Sequence, residues 1–394
     1  MVLPLLPFYA TRLGANAFLY ACLVSSFSVA TLLSAPLWGR FSDRYGRRPA
    51  LLIALGASAI AYVVFAFANT LGVLFLSRLI QGAGGGTVGV VQAYVVDTAA
   101  EKDRARALGW LSAATNVGVS LGPLLGSWAL VAGRHHLLVQ GHDLTLGRSA
   151  PGLFAATICL ANMYFAWRFL RESHVTTQHI GPHVRFVYPR STIWRVIRDP
   201  TATAARLIWI YAIGLGAFVG STAILALFLA KRFGVTEATI GYFFAYVGGM
   251  NIVARAVLLG PAVDRFGEAR LSRIGTVLLA LGLILLPLAP TLPLLAIPVA
   301  LLPLGTAFTF PCVTSMLSRA ISADDRGLYM GVQQAFGGLT RVFFPLAAGL
   351  LFDHFNPGVP FWAAGAVVAA TMFLGFGLET AMRAELVMTR IPRS

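Results

Sequence analysis

Long apolar stretches separated by short polar breaks dominate the chain. Eleven of them reach the roughly 20 residues that a helix needs to cross a bilayer. They run near 17–38, 49–68, 73–97, 105–132, 151–170, 205–230, 237–260, 272–290, 293–318, 327–351 and 358–382. Met1 to Ala10 is apolar but too short to cross. The connection from about 171 to 204 is the one long polar break, with Arg171, Arg185, Arg190, Arg195 and Arg198. It reads as a cytoplasmic linker between a helix bundle over 1–170 and a second over 205–394. The pattern predicts an all-α polytopic membrane protein.

The two halves repeat. Asp43 and Gly46 map onto Asp264 and Gly267 at an offset of 221. Asp103-Arg104, Gly109 and Pro123 map onto Asp325-Arg326, Gly331 and Pro345 at 222, and Arg12 and Gly14 onto Arg232 and Gly234 at 220. A nearly constant offset at three separated places marks an internal duplication. Two pseudo-symmetric bundles of six helices, related by an axis along the membrane normal, are an established transporter architecture. The seventh span begins near 205, so its partner is expected to begin about fifteen residues before Met1. The first helix is therefore expected to be truncated, lacking its front half, or to start upstream.

Composition agrees with a membrane chain. Charged residues make up 11%, against roughly a quarter in soluble domains. The net charge of +15 lies in short loops, so topology and anionic headgroups explain it and a nucleic-acid partner is not expected. The loops near 39–48, 98–106, 171–204 and 261–273 hold most of the arginines, which places them on the cytoplasmic side. Cys22, Cys159 and Cys312 are far apart in apolar runs and make neither a disulfide framework nor a metal site. No basic region precedes the apolar start, so no cleavable signal peptide is expected. No Gly-x-x-x-x-Gly-Lys-Ser/Thr or His-Glu-x-x-His occurs, which argues against ATP drive and metalloprotease chemistry. The histidines are read as loop or linker residues, and neither cofactor nor metal is expected.

The most particular stretch is Gly39-Arg-Phe-Ser-Asp43-Arg44-Tyr-Gly46-Arg47-Arg48-Pro49. It resembles the signature between the second and third helices of the major facilitator superfamily. Arg78-Leu-Ile-Gln-Gly82 resembles that superfamily's arginine motif in the fourth helix. Gly118-x-x-x-Gly122-Pro123-x-x-Gly126 resembles the fifth-helix motif of its proton-driven exporters, with Ser127 where a second glycine is usual. The wording at 42–49 is similar to the tetracycline-efflux branch of drug:proton antiporters. The resemblance implies the major facilitator fold, no enzyme activity, alternating access, and a multi-pass bacterial inner-membrane protein working as a monomer on a small molecule and protons.

The residues give these expectations physical content. Asp43 can face the unpaired N–H groups at a helix start; the resemblance makes the eleventh helix the partner, and Ser322-x-x-Asp325 resembles a capping box there. Asp97 can pair with an arginine of the turn, making 39–48 an inner latch. Gly118, Gly122 and Gly126 share one helical face and permit close packing, while Pro123 permits a bend. Gly84-x-Gly86-x-x-Gly89 matches a dinucleotide fingerprint but has no strand before it, so packing is the better account. None of the fifteen acids lies in the middle of a span. A proton-carrying carboxylate therefore lies upstream of Met1, or is Asp97, or the coupling differs.

Arg78, Arg255 and Arg341 do fall within spans, where each should face the bundle interior or water. Arg341 is a candidate for selecting anionic substrates, against pairing with helix carbonyls or polar side chains. Gln92, Asn116, Asn251, Gln333 and Gln334 complete a candidate cavity, with aromatics such as Tyr211, Tyr242 and Phe310. His135, His136, His142 and Asp143 read as a solvated outer loop rather than a metal cluster. The favoured function is proton-coupled export of drug-like or amphipathic molecules. Solute uptake by symport and a transport-inactive membrane module remain as alternatives.

Overall fold

The computed structural model describes residues 2–100, 103–137, 146–173, 190–322 and 325–377. Among them every regular element is helical, and ten helices are long and apolar enough to cross a membrane. The short first helix, α1 (Leu6–Arg12), is followed by α2 (Ala17–Tyr45), α3 (Arg47–Ala66), α4 (Leu71–Gly85), α5 (Val88–Thr98), α6 (Arg104–Leu137) and α7 (Leu146–Phe169). Then come α8 (Arg190–Arg198), α9 (Thr203–Phe233), α10 (Ile240–Val253), a π-helical turn (Ala254–Leu258), α11 (Leu259–Phe266) and α12 (Glu268–Leu285). A 3₁₀ turn (Leu286–Leu288) leads to α13 (Leu292–Ala320), α14 (Arg326–His354) and α15 (Val359–Gly375). The all-α, multi-spanning fold expected from the apolar pattern is the fold observed. Residues 378–382 of the last expected span lie outside the described residues.

The chain forms two compact units, 1–182 with 226–248, and 183–225 with 249–394. Residues 226–248, which the repeat groups with the second half of the sequence, pack in the first unit. In that unit α2, α3 and α4 meet through small residues. A Cβ on Gly82 would lie 2.8 Å from the Ala30 Cβ, and one on Gly86 would lie 2.9 Å from the Ala35 amide nitrogen. Gly84 sits 3.1 Å from the Ala54 carbonyl by the same measure, while Gly89 meets nothing within 4 Å. Gly84 and Gly86 of the dinucleotide-like motif are thus packing residues, whereas Gly89 is not. The span expected at 73–97 is broken at Gly86-Thr87, where the Thr87 hydroxyl donates to the Gly84 carbonyl at 3.1 Å and a run of three glycines weakens the helix.

In the second unit α12 and α13 pack backbone to backbone. A Cβ on Gly275 would lie 2.8 Å from the Gly305 carbonyl oxygen, and one on Gly282 would lie 2.9 Å from that of Pro298. α15 joins α12 through Trp362, whose indole N–H donates to the Ile284 carbonyl at 3.1 Å. The linker is not wholly irregular: α8 buries Val196 in a cluster with Leu207, Ile208 and Met316, and Trp209 donates to the Val196 carbonyl at 3.3 Å.

The repeat reappears in the backbone. Gly14 and Gly234 both have positive φ, +84° and +66°. Gly46 and Gly267, at +103° and +74°, each end one helix and begin the next with ψ near 159° and 157°. Only glycine adopts such turns without strain, so the duplicated sequence carries a duplicated turn geometry.

Candidate functional site

The basic turn is organised by Arg47. Its Nη1 donates to Asp43 Oδ1 at 2.5 Å and to the Ser42 hydroxyl at 2.9 Å, and its Nε donates to Asp97 Oδ2 at 3.2 Å. One guanidinium therefore ties the end of α2 to the end of α5, which its planar fork of donors suits. Asp43 keeps a side chain 65% exposed. Arg44 lies 5.3 Å over the Tyr45 ring, and a Cβ on Gly39 would meet no atom within 4 Å.

The start of α3 has an anchor that the sequence did not reveal. Glu172 accepts from the Arg47 and Arg48 amides at 2.9 and 3.1 Å. A carboxylate here satisfies amides that have no partner within the helix and complements its dipole. Arg48 reaches across to the Trp167 carbonyl at 2.5 Å. In the repeated turn Glu268, in the first turn of α12, pairs with Arg319 and accepts from Ser315 at 3.0 Å, while Asp264 is exposed. The capping box expected at the start of α14 does not form: Asp325 itself is the N-cap and makes no side-chain capping bond, and its amide donates to the Ser322 hydroxyl, at 3.3 Å, ahead of the helix.

A second arrangement lies along α6. Gly122, Pro123 and Gly126 are buried, but Gly118 is exposed with open space around it. The closest packing uses Ser120 and Ser127, seven residues apart, against Gly248 and Gly241, also seven apart. A Cβ on Gly241 would lie 2.6 Å from the Ser127 Oγ and 2.9 Å from the Pro123 carbonyl oxygen. One on Gly248 would lie 2.6 Å from the Ser120 Cα. α6 and the start of α10 thus form an antiparallel seam within the first unit. Beside it Ser127 donates to the Glu237 carbonyl at 3.1 Å, and Arg12 Nη2 donates to Glu237 Oε1 at 2.8 Å. Glu237 is 3% exposed, whereas the Arg12 side chain is 44% exposed.

The cations inside spans have different surroundings. Arg78 is 3% exposed, with its Cζ 5.7 Å from the centre of the Phe65 ring. Arg255 lies in the π-helical turn and donates through Nε to Asn251 Oδ1 at 2.9 Å. That pairing with a polar side chain one turn away shields its charge. Arg341 is exposed. Of the polar candidates, Gln333 is fully buried near Thr314, 3.4 Å from its hydroxyl. Asn116 donates to its own helix at Ser112, at 2.8 Å; Gln92 and Gln334 are exposed. Tyr211 and Phe310 stack edge-on at 5.3 Å.

The description "Major Facilitator Superfamily" matches residues 1–258 and 222–386. The chain is 31% identical over 333 residues, 84% of its length, to the tetracycline resistance protein, class C, of Escherichia coli, and the match spans 80% of that protein. This chain belongs to the major facilitator superfamily. Among solved structures it is similar to the human organic anion transporter MFSD10, with a TM-score of 0.65 and 23% identity over 94% of this chain and 88% of that one. It is also similar to a bacterial homologue of the human lysosomal transporter Spinster, with a TM-score of 0.72 and 16% identity over 100% and 95%. At these identities both structures show the fold alone.

As a superfamily member the chain is an integral, multi-pass membrane transporter that moves small solutes by secondary active transport, and it has no catalytic chemistry. Its histidines need one correction. His354 closes α14, its Nδ1 lying 3.0 Å from the Leu350 carbonyl oxygen, and His135 and His136 fall within α6 rather than in a loop. His142 and Asp143 lie outside the described residues.

Proposed function

We propose that this transporter exports small amphipathic molecules in exchange for protons. The observation that carries the reading is the seam between α6 and α10. The helix that resembles the exporter motif is held at backbone distance against a partner from the other half of the sequence repeat, and an ion pair sits beside its outer end. Such a seam is a closure that must part for access from the outer side. The arginine-rich turn, cytoplasmic by its charge, is the opposite latch, with Arg47 bridging Asp43 and Asp97. The drug-like substrate class rests on the likeness to the tetracycline resistance protein.

The test is a proton measurement in everted membrane vesicles carrying the chain. After a pH gradient is established and read by a quenched amine dye, tetracycline is added. Antiport predicts partial collapse of the gradient, dependent on expression of the chain. An unchanged gradient, together with uncoupler-sensitive uptake of tetracycline into right-side-out vesicles, would replace export with symport.

A further inference from the structure

The helix within the polar break has one anchored side and one open side. α8 reads Arg-Ser-Thr-Ile-Trp-Arg-Val-Ile-Arg and carries no acid. Thr192 and Val196, one turn apart, are buried, and Val196 packs with Leu207, Ile208 and Met316. On the other side Trp194 and Ile197, three residues apart and so neighbours on a helix surface, are 56% and 45% exposed. Arg195 and Arg198 are exposed beside them, and the Arg198 guanidinium lies 5.9 Å from the centre of the Trp194 ring. The acid that follows, Asp199, accepts through Oδ1 from the Thr201 and Ala202 amides and the Thr201 hydroxyl, which fixes the turn into α9.

The contacts with α9 set the depth of this open side. α9 has 31 residues, about 46 Å at roughly 1.5 Å per residue, whereas a bilayer core is about 30 Å thick. Its ends therefore reach the headgroup layers. Leu207 and Ile208 stand in its second turn, and the Trp209 indole N–H donates to the Val196 carbonyl at 3.3 Å. α8 is thereby held at headgroup depth. Indoles concentrate in that layer, and basic amphipathic helices bind membrane surfaces by apolar burial together with attraction to anionic lipids. An acidic protein would meet the same charges, but the depth favours lipid.

We infer that the open side of α8 docks on anionic phospholipid. Trp194 and Ile197 enter the interfacial layer, and Arg195 and Arg198 hold the phosphates. Each arginine near the surface favours an anionic membrane about fivefold. The surface belongs to one unit and is independent of the direction of transport.

The full chain, with Cys22, Cys159 and Cys312 replaced and a nitroxide on Ile197→Cys, is reconstituted in phosphatidylcholine alone or mixed with phosphatidylglycerol. Collision of the label with oxygen, which dissolves in lipid, is compared with collision with a neutral, water-soluble nickel chelate. Phosphatidylglycerol should raise the ratio of oxygen to chelate collisions at least twofold, and Arg195→Gln with Arg198→Gln should remove that response. Positions 195, 197 and 198 are exposed, so the substitutions leave the contacts of Thr192 and Val196 in place. A ratio equal in the two lipids would overturn the inference, as would a response that survives in the double variant. A label shielded from both reagents in both lipids would mean that protein covers α8, and would overturn it too.

Discussion

Replacing Gly248 with alanine adds one methyl group where α10 has no room for it. The new Cβ would stand 2.6 Å from the Ser120 Cα, where ordinary contact begins at 3.4 Å. The obstacle is backbone, so the helices must part by about 1 Å. Overpacking of this kind costs about 1–3 kcal/mol. Alanine also favours helix over glycine by about 1 kcal/mol, but that gain is the same whether the seam is open or closed. The closed state alone bears the clash, so the equilibrium should move about 5- to 150-fold toward the open seam. Ser127, 2% exposed beside Gly241, supplies the reporter. With Cys22, Cys159 and Cys312 replaced, Ser127→Cys should react slowly with an impermeant maleimide added outside, and at least fivefold faster when Gly248→Ala is present. Equal labelling rates would refute the idea that the seam closes the outer side.

The other predictions concern the charged anchors. Arg12→Ala leaves the Glu237 carboxylate buried without its arginine and should lower stability by about 1–3 kcal/mol, less than for a fully buried pair because Arg12 is half-exposed; adding Glu237→Gln should recover part of the loss in thermal unfolding. Glu172→Gln weakens the acceptor at the start of α3 and should cost about 0.5–2 kcal/mol, read the same way. Arg47→Lys keeps the charge but cannot bridge Asp43 and Asp97 with one planar group, so transport should fall nearly as far as in Arg47→Ala; full activity in the lysine variant would reduce the bridge to a generic positive charge.

Much of the fold was legible because membrane spans are written in composition. Apolar runs located the helices with ends displaced by up to about seven residues, as where α2 runs on to Tyr45, and the offset near 221 pointed to turn glycines that do share positive φ. What escaped was contact between distant residues. Glu172 caps amides about 125 positions earlier in the chain, and no local periodicity announces such a partner. Glu237 stood at the very edge of an expected span and drew no role, because its burial comes from packing beside α6 and its pairing with Arg12 of α1. The glycine–proline motif drew attention to Gly118, which is exposed, while the seam is made by Ser120 and Ser127. Their spacing of seven, matched by Gly241 and Gly248, was visible in the sequence, but pairing the two requires the fold. The breaks at Gly86-Thr87 and Ala254–Leu258 escaped for another reason: hydropathy carries no record of how a helix's hydrogen bonds are arranged.

The most direct test of alternating access is to lock the seam. In the cysteine-replaced background, Ser127→Cys and Gly241→Cys place two thiols where the ideal Gly241 Cβ and the Ser127 Cβ are 2.7 Å apart, about 1 Å inside disulfide geometry. Oxidation should stop substrate flux in reconstituted liposomes, and reduction should restore it. Undiminished flux through the oxidised, cross-linked transporter would contradict the account.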